Sequence, residues 1–403
     1  MSILKLNTIF LFIILISNIT IAQTGISYFL EKKSELPNSK IVDILETSDN
    51  NLMLLSLTSD EKYIQHQANI INYNISDNIL SNNYLNIENL QDLLCLKKYN
   101  NEYKIFSNTT LNKSYKPFQL LLDKSLNIKE NYEDPVVFST LISDVIDGIN
   151  YRLILYTKIG KSERYNISLH KINLENGKVE WLKKISSEQN EEADKIVIAP
   201  NGDLYILGKK YNDEVTEYVP IIYKLDNEGN KIWKKGIDVP NNFSQQSFCL
   251  TNDNYIIYIC GYTKNPTGIS ESRVMKLKNN GEEDMSKVID NFSANGLLKL
   301  SNGNFIIYGS EFFIDEKQIV TKAKYAIINK YLREFKTKSL DENDKPDVNL
   351  GSEIKTSSDF LIAKEISNER IALGGKVYMP NEKNSNKKNN VPLLMIINMD
   401  GSY

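Results

Sequence analysis

The chain has 403 residues, 41% of them hydrophobic and 25% charged, with a formal net charge of −3 at pH 7. This is ordinary globular composition, long enough to bury a large core. Lys and Arg are scattered along it, which excludes the concentrated basic surface that a nucleic-acid partner requires.

The first element is a leader. Lys5 supplies a positive start, Ile9 to Ile16 a short apolar run, and Thr20-Ile21-Ala22 the small residues of a cleavage site before Gln23. These marks predict a secretory signal peptide over residues 1–22, removed before Gln23, and a secreted, periplasmic or cell-surface protein. Ser17, Asn18 and Thr20 interrupt the run short of the about 20 apolar residues that a membrane span needs, so no membrane insertion is expected. Residues 23–403 are expected to form a single domain.

From Ile26 onward the chain reads as strands. Ile26-Ser27-Tyr28-Phe29-Leu30-Glu31-Lys32 comes first and parallels the later Lys231-Ile232-Trp233-Lys234-Lys235. A pattern of two tight turns then recurs about every fifty residues. Its first turn falls near residues 50, 101, 149, 202, 253, 303 and 369, and is clearest at Asn201-Gly202, Asn252-Asp253-Asn254 and Asn302-Gly303. Its second falls near Asn78, Ser125, Gly177, Gly229, Gly281, Lys330 and Gly401. Asn-Gly and Asp-Asn pairs tolerate positive φ and close hairpins. The runs between them are short and rich in Ile, Leu, Tyr and Val, as strands are, and no long segment keeps a helical period.

Both series give seven copies of a four-stranded unit, strands a to d. That predicts an all-β chain folded as a seven-bladed β-propeller of four-stranded antiparallel blades. The seventh copy stops at Asp400-Gly401-Ser402-Tyr403, before any strand d, while the strand at 26–32 is spare. The N-terminal strand is therefore expected to complete the seventh blade and close the ring, removing exposed strand edges. The wide last spacing places extra residues around 340–358 and 376–390.

The stretch from Asn252 to Thr263, followed by Val274-Met275-Lys276-Leu277-Lys278-Asn279-Asn280-Gly281, resembles secreted bacterial β-propeller repeats. In those repeats a Gly-Tyr-Ile-Val-(Ala/Gly)-Gly strand precedes a Lys-Leu-Asp-x-Asn-Gly-x-x-x-Trp hairpin. The resemblance spans residues 23–403, is sharpest in copies four to six, and implies an exported propeller without transferable catalytic residues. Gly177-Lys178-Val179-Glu180-Trp181 is also similar to quinone-cofactor propeller repeats, where tryptophan recurs in nearly every blade. This chain has two tryptophans in all, and no cofactor is expected.

Residues for chemistry are few. His66 and His170 fall in copies one and three, with no partners in sequence for a nucleophilic triad or a transition-metal site. Cys95, Cys249 and Cys260 read as small buried hydrophobes, the last two diagonal on one hairpin and poorly placed to bridge. Two acidic stretches, Glu188, Glu191, Glu192 and Asp194, and Asp341, Glu342, Asp344 and Asp347, lack calcium-loop spacing and read as solvated inter-blade loops.

The loops carry the usable functional signal. The a–b and c–d turns, on one face of a propeller, are short. The b–c segments on the other face, Lys158–Tyr165, Lys209–Val219, Tyr262–Arg273, Ser310–Thr321 and Lys376–Pro392, are long and variable, as recognition surfaces on repeat scaffolds are. Tyr211, Tyr218, Tyr262, Arg273, Phe312 and Tyr378 lie in them and form the expected ligand-binding set, with aromatics able to stack on sugars or anchor a protein. The expected function is a binding or interaction module for an unidentified protein or glycan. The alternative is an extracellular glycan-active hydrolase or lyase using channel carboxylates, with Asp194 and Asp359, near the starts of innermost strands, as acid and base.

Overall fold

A computed structural model describes residues 25–28, 38–60, 66–77, 79–99, 101–111, 114–133, 140–159, 165–186, 190–212, 217–240, 243–264, 269–315, 318–340, 357–381 and 384–402. The leader at 1–22, the end of the first predicted strand at 29–32 and the acidic stretch at 341–347 lie outside these residues, as does Glu188.

Seven four-stranded antiparallel sheets stand in a ring, a seven-bladed β-propeller. The innermost strands are β2 (Asn38–Ser48), β6 (Leu90–Tyr99), β10 (Thr140–Asp147), β14 (Glu191–Ile198), β18 (Phe243–Leu250), β22 (Ser293–Lys299) and β26 (Ser358–Ile366). The seventh sheet runs from β26 through β27 (Arg370–Asn381) and β28 (Asn384–Asn398) to β1 (Gly25–Tyr28). Gly25 pairs with Ile396 and Tyr28 with Leu393, so the N-terminal strand supplies the missing strand d, as the spare-strand reading expected.

The turn residues explain the hairpins. Asn50, Gly202, Asn254 and Gly303 take positive φ in the a–b turns, and Gly177, Gly229, Gly281 and Gly401 in the c–d turns. Leu126 and Leu332 hold the same left-handed conformation at the second turns of blades two and six. Each is buried, and that burial offsets the backbone strain.

Every innermost strand carries a β-bulge. The bulge pushes a carbonyl over the facing strand b, where Gly208, Gly309 and Gly375 sit against the carbonyls of Glu192, Ser293 and Asp359. A side chain there would collide with backbone, which accounts for the glycine that ends the apolar run in these copies.

Apolar clusters among the described residues fill the seven gaps between neighbouring blades. Six of them hold between eleven and fifteen buried residues. In the gap between blades two and three the described cluster holds Phe106, Ile142, Val145, Ile154 and Tyr156, with Leu94, Cys95 and Ile172 packed against it. Polar staples reinforce the packing. Asp43 accepts the Ile44 and Leu96 amides at 2.9 and 2.8 Å, joining blades one and two. Asp144, at the same place after its bulge, accepts those of Val145 and Ile196 at 2.8 and 2.9 Å, joining blades three and four.

Two expectations need correction. The long b–c loops are mostly strand: pairing continues to Asn212↔Glu217, Lys264↔Ile269, Asp315↔Gln318 and Asn381↔Asn384. Backbone pairing asks nothing of side-chain polarity, so polar residues extend the hairpins past the apolar core. Likewise Glu191, Glu192 and Asp194 belong to β14 rather than to a solvated loop, and Glu191 is fully buried. The three cysteines are free, and Cys249 and Cys260 are buried, as small hydrophobes are. No helix among the described residues is long and apolar enough to cross a membrane.

Candidate binding face

Each innermost strand starts on the face that carries the b–c hairpins. Residues early in these strands therefore lie toward the channel mouth: Lys40 on β2, Asp92 on β6, Asp194 on β14 and Asp359 on β26. Neither Asp194 nor Asp359 is bonded to the other; each is held by an amide from the adjacent blade. Gln246 Nε2 donates to Asp194 and, at 3.1 Å, to the Gly208 carbonyl, while Gln246 Oε1 accepts from Tyr258 Oη at 3.1 Å. Asn295 Nδ2 donates to Asp359 Oδ1 at 2.7 Å and to the Phe360 carbonyl at 2.8 Å. On the far side, Asn108 Nδ2 donates to Asp92 at 3.4 Å and to the Ile142 carbonyl at 3.1 Å, and its Oδ1 accepts the Ile142 amide at 2.8 Å.

Burial governs the charges of this mouth. It pushes the Asp359 carboxyl up to about 6, against the opposing pull of Lys376, Ser310 and Asn295. Asp194 is raised for the same reason, with Lys209 and Gln246 opposing, and Asp92 likewise, with Asn108 and Lys40 opposing. Burial and the nearby Lys376 lower Lys40. Buried carboxyls thus stand beside lysines on blades one, two, four and seven, a setting in which hydrogen bonds to a polar ligand are strengthened.

Of the six predicted contact residues, the structure brings two together. Tyr211 and Tyr218 face each other across the fourth blade's b–c hairpin, β15 (Leu204–Asn212) and β16 (Glu217–Leu225), with ring centroids 5.3 Å apart and planes at 68°. Lys209 lies 5.0 Å from the Tyr218 ring and pairs with Glu192 at 2.9 Å, and Tyr218 Oη donates to Glu192 at 2.9 Å. Burial and the Glu192 charge push the Tyr218 hydroxyl up to about 12, so it stays a donor across the neutral range. Tyr218 is nonetheless 39% exposed, beside a fixed ion pair.

The other four are dispersed. Tyr262 is buried with its hydroxyl on Glu271 at 2.8 Å, so it packs in its own blade and offers no open ring. Arg273 lies mid-strand in β20 (Ile269–Leu277), bonded to Glu283 and to the Asp238 carbonyl. Phe312 is half-buried on blade six. Tyr378, on blade seven, has the Lys376 ammonium 5.3 Å from its ring. The sequence reading missed Lys40, Asp92, Lys209, Gln246, Asn295 and Lys376; their common signal is a polar residue beside the strand-a bulge or opposite it on strand b.

No protein-family model matches the chain, and no curated protein matches it in sequence. Among solved structures it is similar to the polysaccharide lyase Uly1, with a TM-score of 0.51 and 9% identity over 94% of this chain and 98% of that one. It is also similar to a Penicillium chrysogenum α-L-arabinanase complexed with arabinobiose, with a TM-score of 0.48 and 8% identity over 76% of this chain and 97% of that one. A third similarity is to the β-propeller domain of the Trilobed protease from Pyrococcus furiosus, with a TM-score of 0.42 and 8% identity over 84% of this chain and 93% of that one. At such identities the likeness is one of fold alone.

Proposed function

We propose that the protein is an exported β-propeller that binds a glycan on the face carrying the b–c hairpins, with the Tyr211–Tyr218 pair as its stacking platform. The observation that carries this reading is the platform itself: an exposed tyrosine held by Glu192 and Lys209, beside a channel mouth of fixed carboxyls and amides. Sugars offer an apolar ring face for an aromatic and hydroxyls for carboxylate and amide partners, and both are present. Tyr378 and Phe312 extend the rim on blades seven and six. The resemblance in sequence to secreted propeller repeats supports export.

The test is a glycan array probed with residues 23–403, followed by titration of any hit. Y211A and Y218A should each weaken binding by roughly tenfold, the usual loss for a stacking aromatic at the centre of an interface. Capture of a protein and no glycan, or a glycan affinity unchanged in both variants, would overturn the reading.

The enzyme alternative has one observation in its favour, the Asp359 carboxyl raised to about 6, which suits a general acid. It predicts release of new sugar ends from a polysaccharide, abolished by D359N. The amide clamps on Asp194 and Asp359, each from the adjacent blade, favour the binder.

A further inference from the structure

The propeller has a second concave site, away from this face, in the gap between blades two and three. It is a cleft of about 380 Å³, lined by Tyr99, Lys104, Arg152, His170 and Leu182 among others. That volume suits a small ligand. Its origin lies in a single position on the outermost strands. In blade three, β12 (Tyr165–Asn173) pairs with β13 (Val179–Lys184) so that Lys171 faces Trp181. In blade four, β16 pairs with β17 (Lys231–Gly236) so that Lys224 faces Trp233. In blade two, β8 (Ser114–Leu122) pairs with β9 (Ile128–Glu133), Leu121 faces Glu130, and a register shift follows at the same place. Glu130 therefore stands where the next two blades have tryptophan.

The consequence is visible at the next blade's c–d turn. The Trp181 ring covers Gly229, where an added Cβ would lie 2.9 Å from it, and the Trp233 ring covers Gly281 at 3.4 Å. Gly177, the equivalent glycine beyond Glu130, has nothing within 4 Å. An indole plugs the wedge at two successive blade gaps, and among the described residues no side chain fills the wedge between blades two and three. Leu121, Ile154, Ile172 and Leu182 supply its apolar wall, with Gln119, His170 and Asn173 among its polar lining. At one end Lys104 sits half-buried with its ammonium 5.4 Å from the Tyr99 ring centroid, and no described carboxylate lies within ion-pair distance of it. Arg152, beside it, is already engaged by Asp147 at 2.6 and 3.1 Å. Burial and the Arg152 charge lower Lys104, with the Glu130, Asp147 and Glu102 charges opposing.

We infer that this cleft binds a small planar aromatic acid, its ring in the space that tryptophan fills between neighbouring blades and its carboxylate on Lys104. The ring supplies the missing apolar burial, and the carboxylate makes a charge-assisted bond in a partly desolvated site. Glu130 stands exposed at the entrance, where its charge is screened and opposes the anion only weakly.

Indole-3-acetate is the direct probe, titrated calorimetrically into residues 23–403 with indole and acetate as controls. Saturable binding is expected, roughly tenfold tighter than that of indole. Lys104→Met should remove that tenfold advantage while leaving indole binding unchanged. Glu130→Trp, a change at an exposed position, should abolish binding of both compounds and raise the melting temperature by closing the gap. No binding at about 10 mM indole-3-acetate, an affinity unaffected by Glu130→Trp, or an acid no tighter than indole in the parent protein would each overturn the assignment. None of these outcomes depends on the hairpin face, so the test is independent of the glycan reading.

Discussion

At the scale of single residues, the molecule relies on polar side chains that tie one blade to the next. Asp144 satisfies a backbone amide in its own blade and one in blade four. Asp144→Ala leaves both donors without the carboxylate and should cost about 2–4 kcal/mol of stability, read from urea unfolding. A change within about 0.5 kcal/mol would mean that water replaces the staple without loss. Asp359 makes a prediction of opposite character. Its folded pKa of about 6 lies above the ordinary aspartate value, so the folded state binds a proton that the unfolded state has released. The associated stability is complete below the ordinary value and is lost as pH rises through about 6. The unfolding free energy should therefore fall by about 1–3 kcal/mol between about pH 4 and 7, the lower end reflecting the carboxyl's partial exposure. Asp359→Asn should flatten that fall, and equal slopes in both proteins would refute the assignment. Asp194 and Asp359 were legible in the sequence because carboxylates near an innermost strand's start must lie near the channel. Gln246 and Asn295 were not, because only the bulge decides which amide reaches across a blade gap.

At the scale of elements, turns and strands were legible and strand ends were not. Asn-Gly and Asp-Asn pairs mark reversals through their own backbone preferences. No comparable signal marks where a polar hairpin stops pairing, and Tyr211 and Tyr218 were read as loop residues although they sit opposite each other in a ladder. Blade four shows the same limit in its charges. Glu191 in β14 accepts from Tyr223 on β16 and pairs with Lys234 on β17, so one carboxylate with no exposed side-chain surface joins strands a, c and d. Read along the chain it is one of several acidic residues; only the fold supplies its partners. Removing one member of a buried pair strands the other's charge, so Glu191→Ala should cost about 3–5 kcal/mol. Glu191→Gln, which keeps an acceptor for Tyr223, should cost less. Equal losses in the two variants would show that the charge, rather than the hydrogen bond, organises the blade.

At the scale of the whole molecule, the ring must close between its first and last blades, and three kinds of interaction meet there. Ile41, Leu54, Ala372 and Leu394 belong to one apolar cluster across that gap. Glu46 accepts the Ser367 amide at 3.1 and 3.0 Å, and the buried Arg370 reaches Asn50 at 2.9 Å. β1 then covers the outer edge of β28. The first two sets do not depend on the N-terminal strand, so removing that strand should not open the blade-one to blade-seven contact. It should instead bare the β28 edge, whose free amides and carbonyls are a template for pairing with another chain. A protein lacking residues 23–28 is therefore expected to keep its far-ultraviolet spectrum yet lose several degrees of thermal midpoint and associate as its concentration rises. Lysine substitutions on the bared edge of β28 should suppress the association without restoring the midpoint, separating edge protection from closure. If the shortened protein stayed monomeric at millimolar concentration, β1 would be an addition to the seventh blade rather than the strand that seals it.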